Sequence, residues 1–313
     1  MRDVTTEAEA RALSADDFYR HLVARNRGLV SVEAQRAVRR TRVLVAGCGS
    51  IGGAAIEPLA RIGFENLHLV DSGTYELNNL NRQRAWVRDI GENKAAVAAR
   101  VIGEINPHAR VSVTVDGITA DNADAFVADA DLIIDGVDVT TMSGLRAKLS
   151  LHEAALAHRR PLVTGWDLAG MLCAEHIDYR RERRVFGGAI TSDDLDRLSV
   201  WESIVRIAPM RAMPSEMLAE LADNLHDPDY GVPQLPEAAW QFGSLACHMA
   251  VRIAAGRPIP PRVGVDVHAI TRPLRERVRD TVVRPVRYLR FARALGLAST
   301  VRATVPRPLL QFS

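Results

Sequence analysis

The chain has 313 residues, of which 47% are apolar and 25% are charged, and its formal net charge is +2. This composition is ordinary for a soluble globular protein, and the nearly balanced charge gives no reason to expect a nucleic acid partner. The three cysteines lie far apart and form no C-x-x-C pair, which argues against a disulfide framework and a four-cysteine zinc site. Because the sequence shows no signal peptide and no run long enough to span a bilayer, we expect a cytoplasmic protein.

The first 40 residues are predicted to form a helical segment. Ser14 stands in the position of an N-cap for a helix over residues 15–26, and Ser31 stands in the same position before Val32–Arg40. Residues 1–40 therefore form a unit that precedes the first strand.

A strand, a glycine-rich turn, a helix and a second strand are predicted between residues 41 and 71. The strands are Arg42–Ala46 and Asn66–Val70, and Gly47, Gly49 and Gly52 follow the first strand at G-x-G-x-x-G spacing. The first two glycines allow phosphate to approach bare backbone, and the third lets the helix pack close to the strand. The alternative is a turn that binds nothing. The predicted nucleotide contacts at this turn are Gly47, Gly49, Ser50, Ile51 and Gly52.

Strands and helices continue to alternate after this unit. Further strands are predicted at 109–115, 131–135 and 161–164, and helices at 92–105, 122–127 and 142–158. This alternation predicts an α/β fold, namely a Rossmann-like, doubly wound and mostly parallel sheet with helices on both faces.

Polar side chains cluster where these strands end. Asp71 closes the second strand, where its carboxylate can accept hydrogen bonds from ribose hydroxyls. Asn79 and Arg82 lie in the following loop, Lys94 opens the next helix, and Asp138 lies just beyond strand 131–135. All of them belong to the carboxyl edge of the sheet, where open α/β sheets bind ligands.

The pattern changes after Gly165. A strand at 171–179 precedes an irregular region, residues 185–236, which is followed by a helix at 237–255 and a strand at 263–267. We expect one domain over residues 41–270, in which the irregular region meets the substrate. Residues 271–313 form a basic tail with Val282, Val286, Leu289 and Ala292 on one helical stripe. Such a helix can bind an acidic partner or an anionic membrane, but a solvated or subunit-packing helix is at least as good an interpretation, and membrane contact is not favoured.

The cluster of polar residues suits adenylation. When a carboxylate attacks the α-phosphorus of ATP, pyrophosphate leaves, and arginine, lysine and a magnesium-binding aspartate can offset its charge. An NAD-dependent oxidoreductase explains the glycines and Asp71 equally well, but leaves Asn79, Arg82, Lys94 and Asp138 without a task. Two alternatives without a role in binding or catalysis remain. In one, Arg82 and Arg84 are solvated loop charges, and in the other, Asp138 caps a helix.

Several motifs in fixed order resemble the ThiF/MoeB/HesA family, the prokaryotic relatives of ubiquitin-activating enzymes. They are VLVAGCGSIGG at 43–53, VD at 70–71, NNLNRQ at 78–83, ENK at 92–94 and IDGVD at 134–138. The resemblance covers roughly residues 27–178. It implies that Asp71 binds the ribose of ATP, that Asn79 and Arg82 contact phosphate, that Lys94 contacts the β- and γ-phosphates, and that Asp138 binds Mg2+. It further implies a homodimer in which Arg27 reaches into the partner subunit's site.

Departures from the family pattern narrow the expected function. Val139 stands where many members carry asparagine, the zinc-binding C-x-x-C pairs are missing, and residues 186–236 contain no cysteine for a thioester. Cys173 and Cys247 are interpreted as small buried hydrophobic residues. We therefore expect ATP-dependent adenylation of a carboxylate on a small protein or peptide, without zinc or an enzyme thioester, in a role such as peptide natural-product tailoring. A non-catalytic nucleotide-binding protein is a further alternative.

Two smaller predictions concern other residues downstream of the glycine turn. Trp166 and Asp167 follow a predicted strand end on the acceptor side, so either of them can touch the group that is activated. The histidines at 152, 158 and 176 are interpreted as surface residues of strands or helices.

Overall fold

The structure is a computed structural model that describes residues 4–227 and 229–296. The strands are β1 (Arg42–Ala46), β2 (Asn66–Val70), β3 (Arg110–Thr114), β4 (Leu132–Asp135), β5 (Pro161–Leu168), β6 (Met171–Asp178) and β7 (Arg262–Asp266). The helices are α1 (Glu7–Arg11), α2 (Ala15–Leu22), α3 (Val32–Arg40), α4 (Ser50–Ile62), α5 (Lys94–Ile105), α6 (Ala123–Ala128), α7 (Met142–Ala157), α8 (Ser192–Leu195), α9 (Val200–Ile207), α10 (Ser215–Asn224), α11 (Pro236–Ala254), α12 (Val267–Thr271) and α13 (Leu274–Ala294).

All seven strands belong to one sheet, in the order β3-β2-β1-β4-β5-β6-β7. Strands β1 to β5 run parallel, whereas β6 is antiparallel to both β5 and β7. This arrangement confirms the predicted Rossmann-like, doubly wound fold. The chain leaves β1 toward β2 on one side and returns to β4 on the other, so a crevice opens at the carboxyl ends of β1 and β4.

Apolar side chains cover both faces of the sheet. In β1, Val43 and Val45 belong to the apolar layer formed with α4, α5 and α11, while Leu44 and Ala46 belong to the layer formed with α6 and α7. This alternation follows from the two-residue period of a strand, and burial on both faces explains why β1 and β4 read as unbroken apolar runs. The two layers fix the strand ends that carry the polar cluster.

The amino-terminal helices begin where the sequence predicts. The Ser14 side chain accepts a hydrogen bond from the N–H of Asp17, and the Ser31 side chain accepts one from Ala34, so each serine caps its helix. Val38 of α3 is fully buried against the layer that contains α4. The segment is thereby packed onto the main domain.

Several predicted boundaries differ from the structure. The helix predicted over residues 15–26 ends at Leu22, and a separate short 3-10 helix covers Ala24–Asn26. Two other differences have identifiable reasons. Helix α5 begins at Lys94 rather than residue 92, because the Asn93 side chain caps it by accepting a hydrogen bond from Ala96. Strand β5 extends to Leu168 because every residue from Pro161 onward pairs with β6 in a hairpin. Trp166 and Asp167 therefore lie inside a strand and not after its end.

The irregular region between β6 and α11 forms a second apolar core. Helices α8, α9 and α10 pack there against α7 and the end of β5. Helix α13 packs on α10, with Phe291 and Ala292 buried, whereas Val282 and Val286 of the predicted stripe are each 68% exposed. The part of the basic tail after residue 296 lies outside the described residues. Over the described ranges, no helix combines the length and apolar character needed to cross a membrane.

Candidate active site

A cavity of about 790 Å³ lies over the crevice between β1 and β4. It brings together most of the residues that the sequence singled out, namely Gly47, Gly49, Ser50, Ile51, Asp71, Asn79, Arg82, Lys94 and Asp138. Gly52 lies behind this lining, in the first turn of α4. Arg27 is exposed and does not line the cavity.

The glycine turn is shaped by close backbone contacts. Gly47 has a φ of +84°, and a Cβ there would lie 2.4 Å from the carbonyl oxygen of Gly136. A Cβ on Gly52 would lie 1.9 Å from the carbonyl oxygen of Gly47, so only glycine lets α4 pack this close to the turn. The N-cap of α4 is Gly49, which has no side chain to satisfy the first N–H groups of the helix. This helix terminus is therefore suited to an anion.

Asp71 is held rigidly at the end of β2. One of its carboxylate oxygens accepts a hydrogen bond from the N–H of Cys48 at 2.6 Å, and the other accepts one from Gly73 at 2.7 Å. Each oxygen keeps a lone pair for a further donor. The carboxylate can thus accept hydroxyl hydrogen bonds in the cavity, as a ribose would offer.

The loop after β2 presents Arg82 to the cavity. Its guanidinium donates to the Asn78 carbonyl at 3.1 Å, to the Asn81 side chain at 2.8 Å and to the Gln234 side chain. Burial lowers the pKa of Arg82, while Asp167 and Asp138 act in the opposite direction, and a guanidinium stays charged through such a shift. Arg82 is therefore a positioned cation and not a solvated loop charge.

Two neighbours of Arg82 behave differently. Asn79 is buried, where its side chain donates to Asn78 at 2.6 Å and accepts from the N–H of Glu76 at 3.2 Å, so it fixes the loop as well as lining the cavity. Arg84 forms an ion pair with Glu57 on α4 and does not line the cavity. The solvated-charge interpretation thus fits Arg84.

Lys94 brings a second cation to the cavity. The backbone N–H of this residue donates to the carbonyl of Gly73 at 3.0 Å, and its ammonium lies 5.9 Å from the centre of the Tyr75 ring. Within the described ranges, no carboxylate lies within salt-bridge distance of this ammonium. The charge is therefore available to an anionic ligand.

Asp138 lies in the loop after β4 and is exposed to the cavity. Its carboxylate accepts from the N–H and the hydroxyl of Thr140 at 2.9 and 2.8 Å. The cap of α7 is Thr141, which accepts from Gly144 at 3.1 Å, so Asp138 does not have the capping role. The described residues contain no cluster of three metal-binding side chains. A lone carboxylate suits Mg2+, which keeps waters and takes most of its other oxygen ligands from phosphates.

Asp167 and Gln234 also line the cavity. The sequence predicts a role for Asp167 but not for Gln234. Neither carboxylate oxygen of Asp167 forms a hydrogen bond of good geometry in the described structure. Burial raises the pKa of this group to about 7, although Arg82 and the nearby backbone N–H groups of Leu235 and Ala169 act in the opposite direction. The Gln234 side chain accepts from Ser50 at 3.3 Å and from Arg82, and the Gln234 carbonyl accepts from Asn81 at 3.2 Å. No motif marks Gln234, because it lies in the irregular region and reaches the site only through the fold.

A buried polar network supports the floor of the cavity. Asp135, at the end of β4, accepts from the Lys148 ammonium and from His152 at 3.0 Å, and His152 bonds the Tyr179 hydroxyl at 2.7 Å. Burial alone would raise the pKa of Asp135, but Lys148 and His152 lower it below its usual value. Burial also lowers the pKa of His152. The interpretation of His152 as a surface residue is wrong, because its partners come from distant parts of the sequence.

The cysteines carry no sign of reactivity. Cys48 and Cys173 are buried, and Cys247 is half-buried in α11 with its thiol near the Pro58 carbonyl. Burial raises the pKa of Cys173 and Cys247 to about 11 and raises that of Cys48 as well. All three therefore remain protonated thiols near neutral pH.

Known proteins are similar to this chain in sequence and in fold. Residues 23–173 match the ThiF family. The chain is 32% identical over 252 residues to the uncharacterized protein MT1398 of Mycobacterium tuberculosis, which covers 78% of this chain and 34% of that protein. It is 33% identical over 136 residues to the molybdopterin-synthase adenylyltransferase of Escherichia coli, which covers 42% of this chain and 52% of that enzyme. The chain thus spans about half or less of the length of these relatives.

The fold is also similar to that of E. coli TcdA, tRNA N6-threonylcarbamoyladenosine dehydratase, whose crystal structure is in complex with ATP. The TM-score is 0.56 at 22% identity, over 78% of this chain and 98% of that chain. The matched residues 23–173 contain the glycine turn, the polar loop and Asp138. The chain therefore contains a ThiF family domain, which residues 23–173 form.

Proposed function

We propose that the protein catalyses ATP-dependent adenylation of a carboxylate. The observation that carries this proposal is the meeting of Arg82, Lys94 and Asp138 with the uncapped start of α4 in one cavity. A carboxylate oxygen of the substrate attacks the α-phosphorus, the bond from that phosphorus to the oxygen bridging to the β-phosphate breaks, and pyrophosphate leaves. The products are an acyl-adenylate and pyrophosphate.

Each residue has a separate task in this reaction. The N–H groups at the start of α4, together with Asn79, Arg82 and Lys94, bind the phosphates and stabilise the charge that develops on pyrophosphate. Asp71 accepts the ribose hydroxyls. Asp138 holds Mg2+, which offsets the phosphate charge when it is bound.

The acceptor is proposed to be a carboxylate on a small protein or peptide. The relative from E. coli is named an adenylyltransferase, and TcdA was crystallised with ATP, both of which support a nucleotide reaction in this cavity. The protonated thiols and the lack of cysteine in residues 186–236 support transfer without an enzyme thioester. We assign the reaction to the cytoplasm and, by the family resemblance, to a specialised role such as peptide natural-product tailoring.

A homodimer would give Arg27 a role. This side chain is exposed and does not line the cavity of its own chain, and Leu29, two residues further on, is 90% exposed. If Arg27 completes the partner subunit's site, Arg27→Ala and Lys94→Ala are each inactive alone, but mixing them under subunit exchange restores part of the turnover. Continued inactivity of the exchanged mixture would contradict the shared site.

Calorimetric binding of magnesium-ATP, compared with NAD, is the decisive test of the proposed function. We expect ATP to bind, Lys94→Ala to abolish binding, and both Lys94→Ala and Asp138→Ala to abolish formation of AMP without loss of folding. Arg84→Ala is the matched control, because that cation is paired outside the cavity. Binding of NAD with no binding of ATP would instead favour an oxidoreductase. ATP binding without turnover of any carboxylate would favour a non-catalytic protein, an alternative supported by Val139.

A further inference from the structure

The cavity is divided into two chemically different ends. One end is the polar site described above. The other, which we call the apolar chamber, is lined by side chains from β5, α9 and α10. These residues are Trp166, Leu168, Trp201, Ile204, Met217 and Leu221.

The apolar chamber is built by regular helix faces. Trp201 and Ile204 are three residues apart on α9, and Met217 and Leu221 are four apart on α10, so each pair projects from one side of its helix. Met217 and Leu221 are only 4% and 1% exposed, and both belong to the second apolar core. The wall is therefore fixed by packing and is not a loose surface.

The chamber offers almost no hydrogen bonds to an occupant. Of the six side chains only the two tryptophans carry a hydrogen-bond donor, and the indole N–H of Trp166 is already used, since it donates to Glu175 at 3.0 Å. The indole N–H of Trp201 is the one donor that these side chains can offer to an occupant. Asp167 projects from the opposite face of β5, toward Arg82 and the start of α11. A polar or charged group that entered the chamber would lose its water with almost no partners in exchange.

We infer that the acceptor carboxylate is carried by an apolar group, aliphatic or aromatic, that fills this chamber. The inference rests on the proposed function: the apolar group lies between α9, α10 and β5, while its carboxylate faces Arg82 and the α-phosphate. An acceptor whose apolar group is one methylene smaller should react with a kcat/KM that is lower by roughly 10- to 200-fold.

Calorimetry with octanoate and acetate tests the inference without knowledge of the natural acceptor. The full-length protein is first saturated with magnesium and the ATP analogue AMPCPP, and each acid is then titrated. We expect octanoate to bind at least tenfold more tightly than acetate, because burial of as few as about two of its additional methylenes in the chamber gives about that factor.

Two variants of different kinds locate the octanoate. Met217→Gln places an amide in the wall. Ala208 also lines the cavity, directly after α9, and Ala208→Phe adds an aromatic ring there without burying a polar group, so a folding defect in one variant leaves the other as a test. Both should weaken octanoate binding about tenfold and leave AMPCPP binding unchanged. Met210→Gln is the matched control, because Met210 packs in the same core but does not line the cavity.

The outcomes separate this inference from the function on which it rests. Failure of AMPCPP to bind the unmodified protein would overturn the proposed function, and the inference with it. If AMPCPP binds but octanoate binds no better than acetate, or both variants leave octanoate binding unchanged, only the apolar acceptor is overturned.

Discussion

Asp167→Asn should stabilise the protein above neutral pH. The Asp167 carboxylate is buried without a well-formed hydrogen bond in the described structure, and burial raises its pKa from 3.8 to about 7 despite Arg82 and the nearby N–H groups of Leu235 and Ala169. The folded state therefore holds the proton more tightly than the unfolded state, and the free energy of unfolding falls as the pH rises from about 4 to 7. Asparagine has nearly the same shape and carries no charge, so it removes this loss.

The magnitude follows from the two pKa values. With 3.8 in the unfolded chain and about 7 in the folded one, Asp167 lowers the free energy of unfolding by about 2–3 kcal/mol between pH 5 and pH 8. All other titrating groups are common to both proteins, so their effects cancel when the variant is compared with the parent at each pH. The stability difference between the two proteins should therefore grow by that amount over this range.

Urea unfolding at pH 5 and pH 8 measures this difference. Asp121→Asn, at an exposed loop position, is the matched control and should give the same stability difference at both pH values. If Asp167→Asn behaves like this control, the carboxylate is ionised in the folded state with an ordinary pKa, and the argument from burial fails.

Two further predictions concern Lys148 and His268, which do not line the cavity. Lys148→Met should lower the free energy of unfolding by about 3–5 kcal/mol, because it removes the ammonium from the buried Asp135 carboxylate and leaves it only hydrogen bonds, such as the one from His152. Adding Asp135→Asn should recover part of that loss in a urea titration. His268→Gln should destabilise most below pH 6.5, because Glu237 and Glu216 raise the pKa of His268, and the effect should shrink in thermal unfolding as the pH rises through the raised pKa. A loss that is constant with pH would show that His268 acts only through packing.

The polar end of the cavity was open to prediction from sequence because its residues follow local rules. The glycine turn must precede a helix, Asp71 must end a strand, and Asp138 follows a strand that is visible as an apolar run. Parallel strands bring their carboxyl ends to one edge, so knowing the elements is nearly enough to know which residues meet there. The fold class follows from the same alternation.

The rest of the site could not be predicted because nonlocal packing decides it. β5 extends to Leu168 only through its pairing with β6, and no local signal marks where such pairing stops. Gln234 enters the site across a separation of 152 residues from Arg82, out of a region without periodic structure. His152 is buried by partners from β4 and from the end of β6. In each case the residue is visible in the sequence, but the residue that it contacts in the fold cannot be predicted from it.

Gln234 tests whether ATP displaces part of the protein when it binds. Its amide oxygen accepts from Ser50 and Arg82, the groups proposed to bind phosphate, so an incoming phosphate competes with it for the same donors. Gln234→Ala removes the competitor, and ATP should then bind more tightly, by up to about tenfold, which is the worth of one hydrogen bond to a charged group. Gln241→Ala is the matched control, since Gln241 bonds within α11 and does not line the cavity. Weaker ATP binding in Gln234→Ala would mean that the glutamine stays in place and binds the nucleotide itself, and the segment before α11 would then be a fixed wall of the site rather than a part that ATP displaces.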